Sequence, residues 1–244
     1  MKKGITIAMA IVLALFIAGI IVVYSSIGSV ISETIASKGS EITQTKVTLG
    51  EADYSANTGL ATLIHMQIEN PAGFKSKNAF TFDRIELWID PETLNTDVIN
   101  IKAMTLVAPE VVYEISDKSD NLRTLKRYIE NSVVKKSLHG PAKKIIIENF
   151  QMKNGVVFVQ TDGLNGTKKT AKLADLTLSN LGSASGGLTP KELSLRLFLP
   201  ILRETTIAAL NTDLSLSDQA RNILNGAMDE TEGALRLLKN LLNN

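Results

Sequence analysis

Residues Ile5–Tyr24 form a run of 20 in which only Thr6 and Gly19 fall outside the apolar class. At about 1.5 Å per residue a helix of that length spans roughly 30 Å, the hydrocarbon thickness of a bilayer. A retained membrane anchor is therefore expected over residues 1–24, with a cleaved signal peptide as the alternative. Lys2 and Lys3 precede the run, and no further Lys or Arg occurs until Lys38. That asymmetry keeps the short N-terminus in the cytoplasm and exports the rest. The expected location is a bacterial inner membrane, crossed once, with the body in the periplasm.

Composition narrows the body further. With no cysteine among 244 residues, disulfide scaffolds, zinc–thiolate sites and thiol nucleophiles are excluded. Lys+Arg 26 against Asp+Glu 25 argues against a nucleic-acid binder. The two histidines, His65 and His139, stand in no motif that pairs them with a nucleophile or a metal. Glu110 with Glu114, and Asp229, Glu230 and Glu232, read as solvated faces. Asn165-Gly166-Thr167-Lys168 lacks the spacing of a phosphate loop. The expectation is a protein that is not an enzyme and needs no cofactor or metal.

Residues 25–43 read as a juxtamembrane segment that extends the anchor as a short helix. Period two then takes over, the signature of half-buried strands. Leu60, Thr62, Ile64, Met66 and Ile68 share one face; Ile85, Leu87 and Ile89 share another; Ile99, Ile101 and Ala103 a third. Strands also fit residues 110–116, 144–150, 155–161 and 172–179, with residues 162–166 as a hairpin loop. A helix near 120–137 carries Leu122, Leu125, Ile129 and Val133 on one face and Arg123, Lys126, Arg127, Lys135 and Lys136 on the remainder. Two readings of that helix stay open: a helix packed on the sheet with a charged outer side, or one whose Arg123, Lys126 and Arg127 touch anionic lipid headgroups.

Residues 183–187 read as a flexible linker into a C-terminal helical segment over 183–244. Thr189-Pro190-Lys191-Glu192 has the form of a capping box, which favours a helix although Leu193, Leu195, Leu197 and Leu199 alternate like a strand. From Ser217 to Leu242 a broad apolar stripe marks a second helix. The expected fold class is α+β: an anchor helix, then a curled antiparallel sheet over 44–182 with an inserted amphipathic helix, then C-terminal helices.

Three stretches, Ile68-Glu69-Asn70-Pro71-Ala72-Gly73-Phe74, Ala79–Asp90, and Ile99-Asn100-Ile101 with Ala108-Pro109-Glu110-Val111-Val112-Tyr113-Glu114, resemble the AsmA-like family. Asn121-Leu122 and Leu125 match its helix start, and the likeness covers roughly Lys46–Glu130. The end of the first strand, Ile68-Glu69-Asn70-Pro71, also resembles the water-stress late-embryogenesis domain; the following strands and the basic helix favour the AsmA-like pattern. The resemblance implies a periplasmic envelope-maintenance protein with no catalytic residues, and for the large members a hydrophobic groove for phospholipid. This chain is several times shorter than those bridges. On that reading Ile64, Met66, Ile68, Ile85, Leu87, Ile89, Ile145 and Ile147 bind membrane lipid on an apolar sheet face. The same face is equally explained as a core lying beneath the helices. The alternative function is a non-catalytic envelope scaffold or assembly subunit that meets another membrane protein through its anchor, whose Ala8, Ala10, Ala14, Ala18 and Gly19 permit close helix packing.

Overall fold

A computed structural model describes residues 27–116, 119–131, 143–161, 168–212 and 217–242. The expected anchor, the hairpin loop at 162–166, His139, and Val133, Lys135 and Lys136 lie outside the described residues. Among the described residues no helix is long and apolar enough to cross a membrane.

Helix α1 (Ile27–Thr43) leads into nine strands: β1 (Val47–Ser55), β2 (Leu60–Glu69), β3 (Asn78–Ile89), β4 (Val98–Val107), β5 (Glu110–Ile115), β6 (Lys144–Lys153), β7 (Val156–Thr161), β8 (Lys168–Lys172) and β9 (Leu176–Leu181). Helix α2 (Asn121–Asn131) separates β5 from β6, and α3 (Pro190–Leu210) and α4 (Asp218–Leu242) close the chain. The architecture is α+β, with one open sheet. It is not wholly antiparallel as expected: β4 pairs with β6, and β5 with β7, in parallel. The route from β5 through α2 supplies the long crossover that a parallel neighbour requires. Alternation in a sequence reports which residues share a face, not which way the neighbouring strand runs.

The pairings show that β4 and β5 are two halves of one bent strand. They keep a constant register against β6 and β7, which are likewise halves of one strand, and β8 and β9 form a third. A crease crosses all six resulting strands at one level, through Gly50, His65, Asp83, Ala108, Asn154 and Ala174. On each strand the core-facing positions step by three residues there: Leu49 to Ala52, Leu63 to Met66, Phe82 to Ile85, Leu106 to Pro109, Met152 to Gly155 and Leu173 to Leu176. His65, Ala108 and Asn154 take positive φ at this level. An isolated bulge slips the register against its neighbour and bends the strand. Here every strand carries the extra residue, so pairing resumes in register on both sides and the whole sheet bends.

A second crease crosses β4 at Lys102, β6 at Glu148 and β9 at Asn180, whose φ is 57°. Core positions again step by three, from Ile101 to Met104, Ile147 to Phe150 and Leu178 to Leu181. In β3 the step stays at two, and the register slips between Trp88 and Ile89 instead.

One contiguous core lies on the inner side of this bent sheet. Helix α3 packs across β5, β6, β7, β8 and β9, and α4 packs on α3. Leu193, Leu197, Phe198, Ile201, Leu202 and Ala209 are buried around α3, as befits a helix enclosed between two layers. The Thr189–Glu192 capping box and the proline at its first turn are present, and the helix continues through Pro200. The segment expected to be a flexible linker is instead a tight turn. Ser185 and Gly187 donate backbone hydrogen bonds to Gly182, and Leu188 exchanges two with Ile145 on β6.

Candidate functional site

The residues expected to face lipid are built into the core. Met66, Ile68, Ile85, Leu87, Ile89, Ile145 and Ile147 are each at most 5% exposed. Ile64 departs from them. The crease at His65 makes Leu63 and Met66 successive inward positions, so Ile64 turns to the outer side opposite Arg84, where it is half-buried. Ala103 and Met104 show the same correction at the second crease: Met104, not Ala103, is the buried one. The inner face is closed by α3. The Phe198 ring meets Phe80 edge to face, with centroids 6.2 Å apart, and Phe80 in turn lies parallel to Phe82 at 6.0 Å.

Helix α2 does not offer three basic side chains to a membrane. Arg123 Nε donates to Asp120 Oδ2 at 2.5 Å, and its backbone N–H donates to Asp120 Oδ1 at 2.7 Å. Lys126 is buried between Glu130, one turn on at 3.3 Å, and Glu230 of α4. Of the three, Arg127 alone is exposed, and it donates to Thr124 at 3.0 Å. The apolar face of α2 is used as expected: Leu122, Leu125 and Ile129 are buried. Burial pulls the Lys126 ammonium toward its neutral form, but the hydrogen bond and charge of Glu230 together with Glu130 outweigh it and hold its pKa above the usual lysine value. Burial raises the Asp120 carboxyl, and the Arg123 contacts offset part of that rise. The Tyr113 phenol is pushed far above its ordinary range, first by burial and then by the Asp120 charge.

A second polar cluster was not legible in the sequence. Asn121 Oδ1 accepts from the Glu114 backbone N–H at 2.9 Å, and its Nδ2 donates to Val112 O and Asn70 Oδ1, both at 2.7 Å. Asn70 Nδ2 donates to Ser76 O at 2.8 Å. The Glu114 carboxylate accepts from the backbone N–H groups of Lys75 and Ser76 at 2.5 and 2.8 Å. Glu114 is therefore a buried acceptor that fastens the loop after β2, not part of a solvated face. Asn70 and Asn121 both belong to the motif that carries the AsmA-like resemblance. The remaining acidic residues form external ties: Glu230 to Lys126, and Glu232 to Arg203 Nε at 2.7 Å.

His65 lies exposed on the crease, 3.3 Å from Asp83. No group of His, Cys, Asp and Glu side chains capable of holding a metal occurs among the described residues. An open cleft of about 600 Å³ lies between α1 and β1, lined by Ser32, Glu33 and Ala36 on the helix and by Thr48 through Ala52 on the strand. Compared with known proteins, the chain matches no family model and no curated protein sequence.

Proposed function

We propose that this protein is a non-catalytic envelope scaffold or assembly subunit, tethered to the bacterial inner membrane by Ile5–Tyr24, with its α+β body in the periplasm. The observation that carries this reading is the occupied inner face. The aliphatic side chains that a lipid would need are packed against α3, itself covered by α4. A body whose core is complete without a ligand suits holding and positioning better than carrying. The anchor supplies the location, and its small residues supply a surface for a neighbouring membrane protein. Exchange of Ile5–Tyr24 for an unrelated single span is the test. A scaffold that meets its complex through the anchor loses its stoichiometric partner on exchange; retention of the partner overturns that part of the reading.

Lipid carriage in the manner of the AsmA-like resemblance is the second reading, supported by the continuous aliphatic inner face of the bent sheet. It requires α3 and α4 to move off that face together. Lipid extraction and native mass spectrometry of the purified full chain separate the two. Phospholipid at one or more molecules per protomer favours carriage, and lipid-free protein favours the scaffold.

A further inference from the structure

The two edges of the sheet carry opposite charge on the same outer side. At one edge β1 pairs only with β2. Its core-facing Ala52 is flanked by exposed Glu51 and Asp53, which therefore point outward. At the other edge β8 pairs only with β7, and exposed Lys168, Lys169 and Lys172 line it. The Lys168 ammonium sits 4.2 Å from the Phe158 ring centre on β7, and Phe158 alternates with buried Val157 and Val159, which places Lys168 on the outer side. Lys172 shares that side by strand period. Charges on an edge ordinarily guard against pairing with another chain. Here they forbid β1 against β1 and β8 against β8 while favouring β1 against β8.

Strand directions also agree. Through the successive pairings, β1 and β8 run the same way along the sheet. A second copy placed edge-on in the same orientation therefore continues the sheet with its inner face on the same side. The edge of β1 is open to such a neighbour because the cleft between α1 and β1 runs along it. With Glu51 opposite Thr170, Asp53 stands opposite Lys172, and Lys168 comes within the diagonal reach of Glu51. We propose that the protein self-associates head to tail, the β1 edge of one copy taking the β8 edge of the next. Such a contact is heterologous: each copy keeps one acidic and one basic edge free for further copies. Self-association through these edges requires neither a bound lipid nor an envelope partner.

Charge reversal tests it with the full chain in detergent micelles, followed by sedimentation velocity. The wild type sediments as a concentration-dependent series that collapses in high salt. E51K/D53K and K168E/K172E each sediment as single protomers, because each carries two edges of like charge. Mixed one to one, they reassemble, since the acidic edges of one variant meet the basic edges of the other. Because the chain has no cysteine of its own, D53C/K172C provides a second measurement: oxidation yields a ladder of disulfide-linked copies. A wild type that stays a single protomer at every concentration overturns the proposal. So does a mixture that fails to reassemble from folded variants, a missing ladder, or a β1 edge that takes a lysine-rich peptide while the chain itself stays monomeric.

Discussion

Asn121 Nδ2 donates to Asn70 Oδ1 at 2.7 Å, joining the first residue of α2 to the turn after β2. The same side chain holds the Glu114 N–H and the Val112 carbonyl, so three separate segments meet on one buried amide.

Asn121→Ala leaves those buried groups without partners and lowers unfolding stability by about 2–3 kcal/mol. Asn121→Asp keeps the acceptor for the Glu114 N–H but sets a carboxylate against the Val112 and Asn70 oxygens. It is expected to be as damaging at neutral pH and milder in acid, where the new carboxyl regains a proton to donate. Urea unfolding of both variants at two pH values checks this.

Phe198 is the side chain through which α3 closes over Phe80. Phe198→Ala removes a buried ring and costs about 3–5 kcal/mol. Phe198→Leu, which keeps most of the volume, costs less. Thermal unfolding ranks the two, and equal losses would show that the aromatic packing does not hold the cover.

Lys126 joins α2 to α4. Lys126→Met strands Glu230 at a half-exposed position and is expected to cost about 1–2 kcal/mol, less than a fully buried pair would. Because the folded-state pKa of Lys126 lies above its unfolded value, its contribution is complete below the ordinary lysine value of 10.5. It is lost as pH rises through the higher folded-state value. The stability gap between wild type and Lys126→Met therefore stays constant at neutral pH and narrows in strong alkali.

The crease is expected to tolerate glycine and reject bulk. A Cβ at Gly155 would lie 3.0 Å from Leu173 Cδ2 and 3.3 Å from Pro109 Cγ. Gly155→Ala should therefore cost about 1–3 kcal/mol. Ala108, at φ 47°, gains backbone freedom as glycine, so Ala108→Gly is expected to be neutral or slightly stabilising. A destabilising Ala108→Gly alongside a silent Gly155→Ala would contradict the packing described for the crease.

Trp88, the one tryptophan, is 38% exposed on the outer side of β3, between Leu60 and Ala103 on the neighbouring strands. Acrylamide should quench its fluorescence readily in the folded protein, and Trp88→Phe should shift stability by less than about 0.5 kcal/mol. Protected fluorescence would mean that the outer side is covered in solution.

The amino-acid sequence by itself determined the elements whose causes are local. Alternation marks Val98–Val107 as a strand to the residue, and the Thr189–Glu192 box with Pro190 starts α3 where its caps require. Spacing of three and four identifies the buried side of α2, and in α4 it identifies Ala220, Leu224, Ala227 and Thr231. Opposing faces were legible only between creases. His65, Ala108 and Asn154 adopt positive φ without being glycine, because an extra residue at the same level of every strand lets the sheet bend without losing register. No single strand encodes that agreement, so strict alternation misplaces Ile64 and Met104. Parallel pairing of β4 with β6, the burial of Glu114 and the inward commitment of Arg123 and Lys126 likewise depend on partners far along the chain. Above all, an aliphatic sheet face reads the same whether a lipid or a helix lies on it. Only the packed fold decided that α3 does, because coverage is a property of two surfaces, and a sequence displays them one at a time.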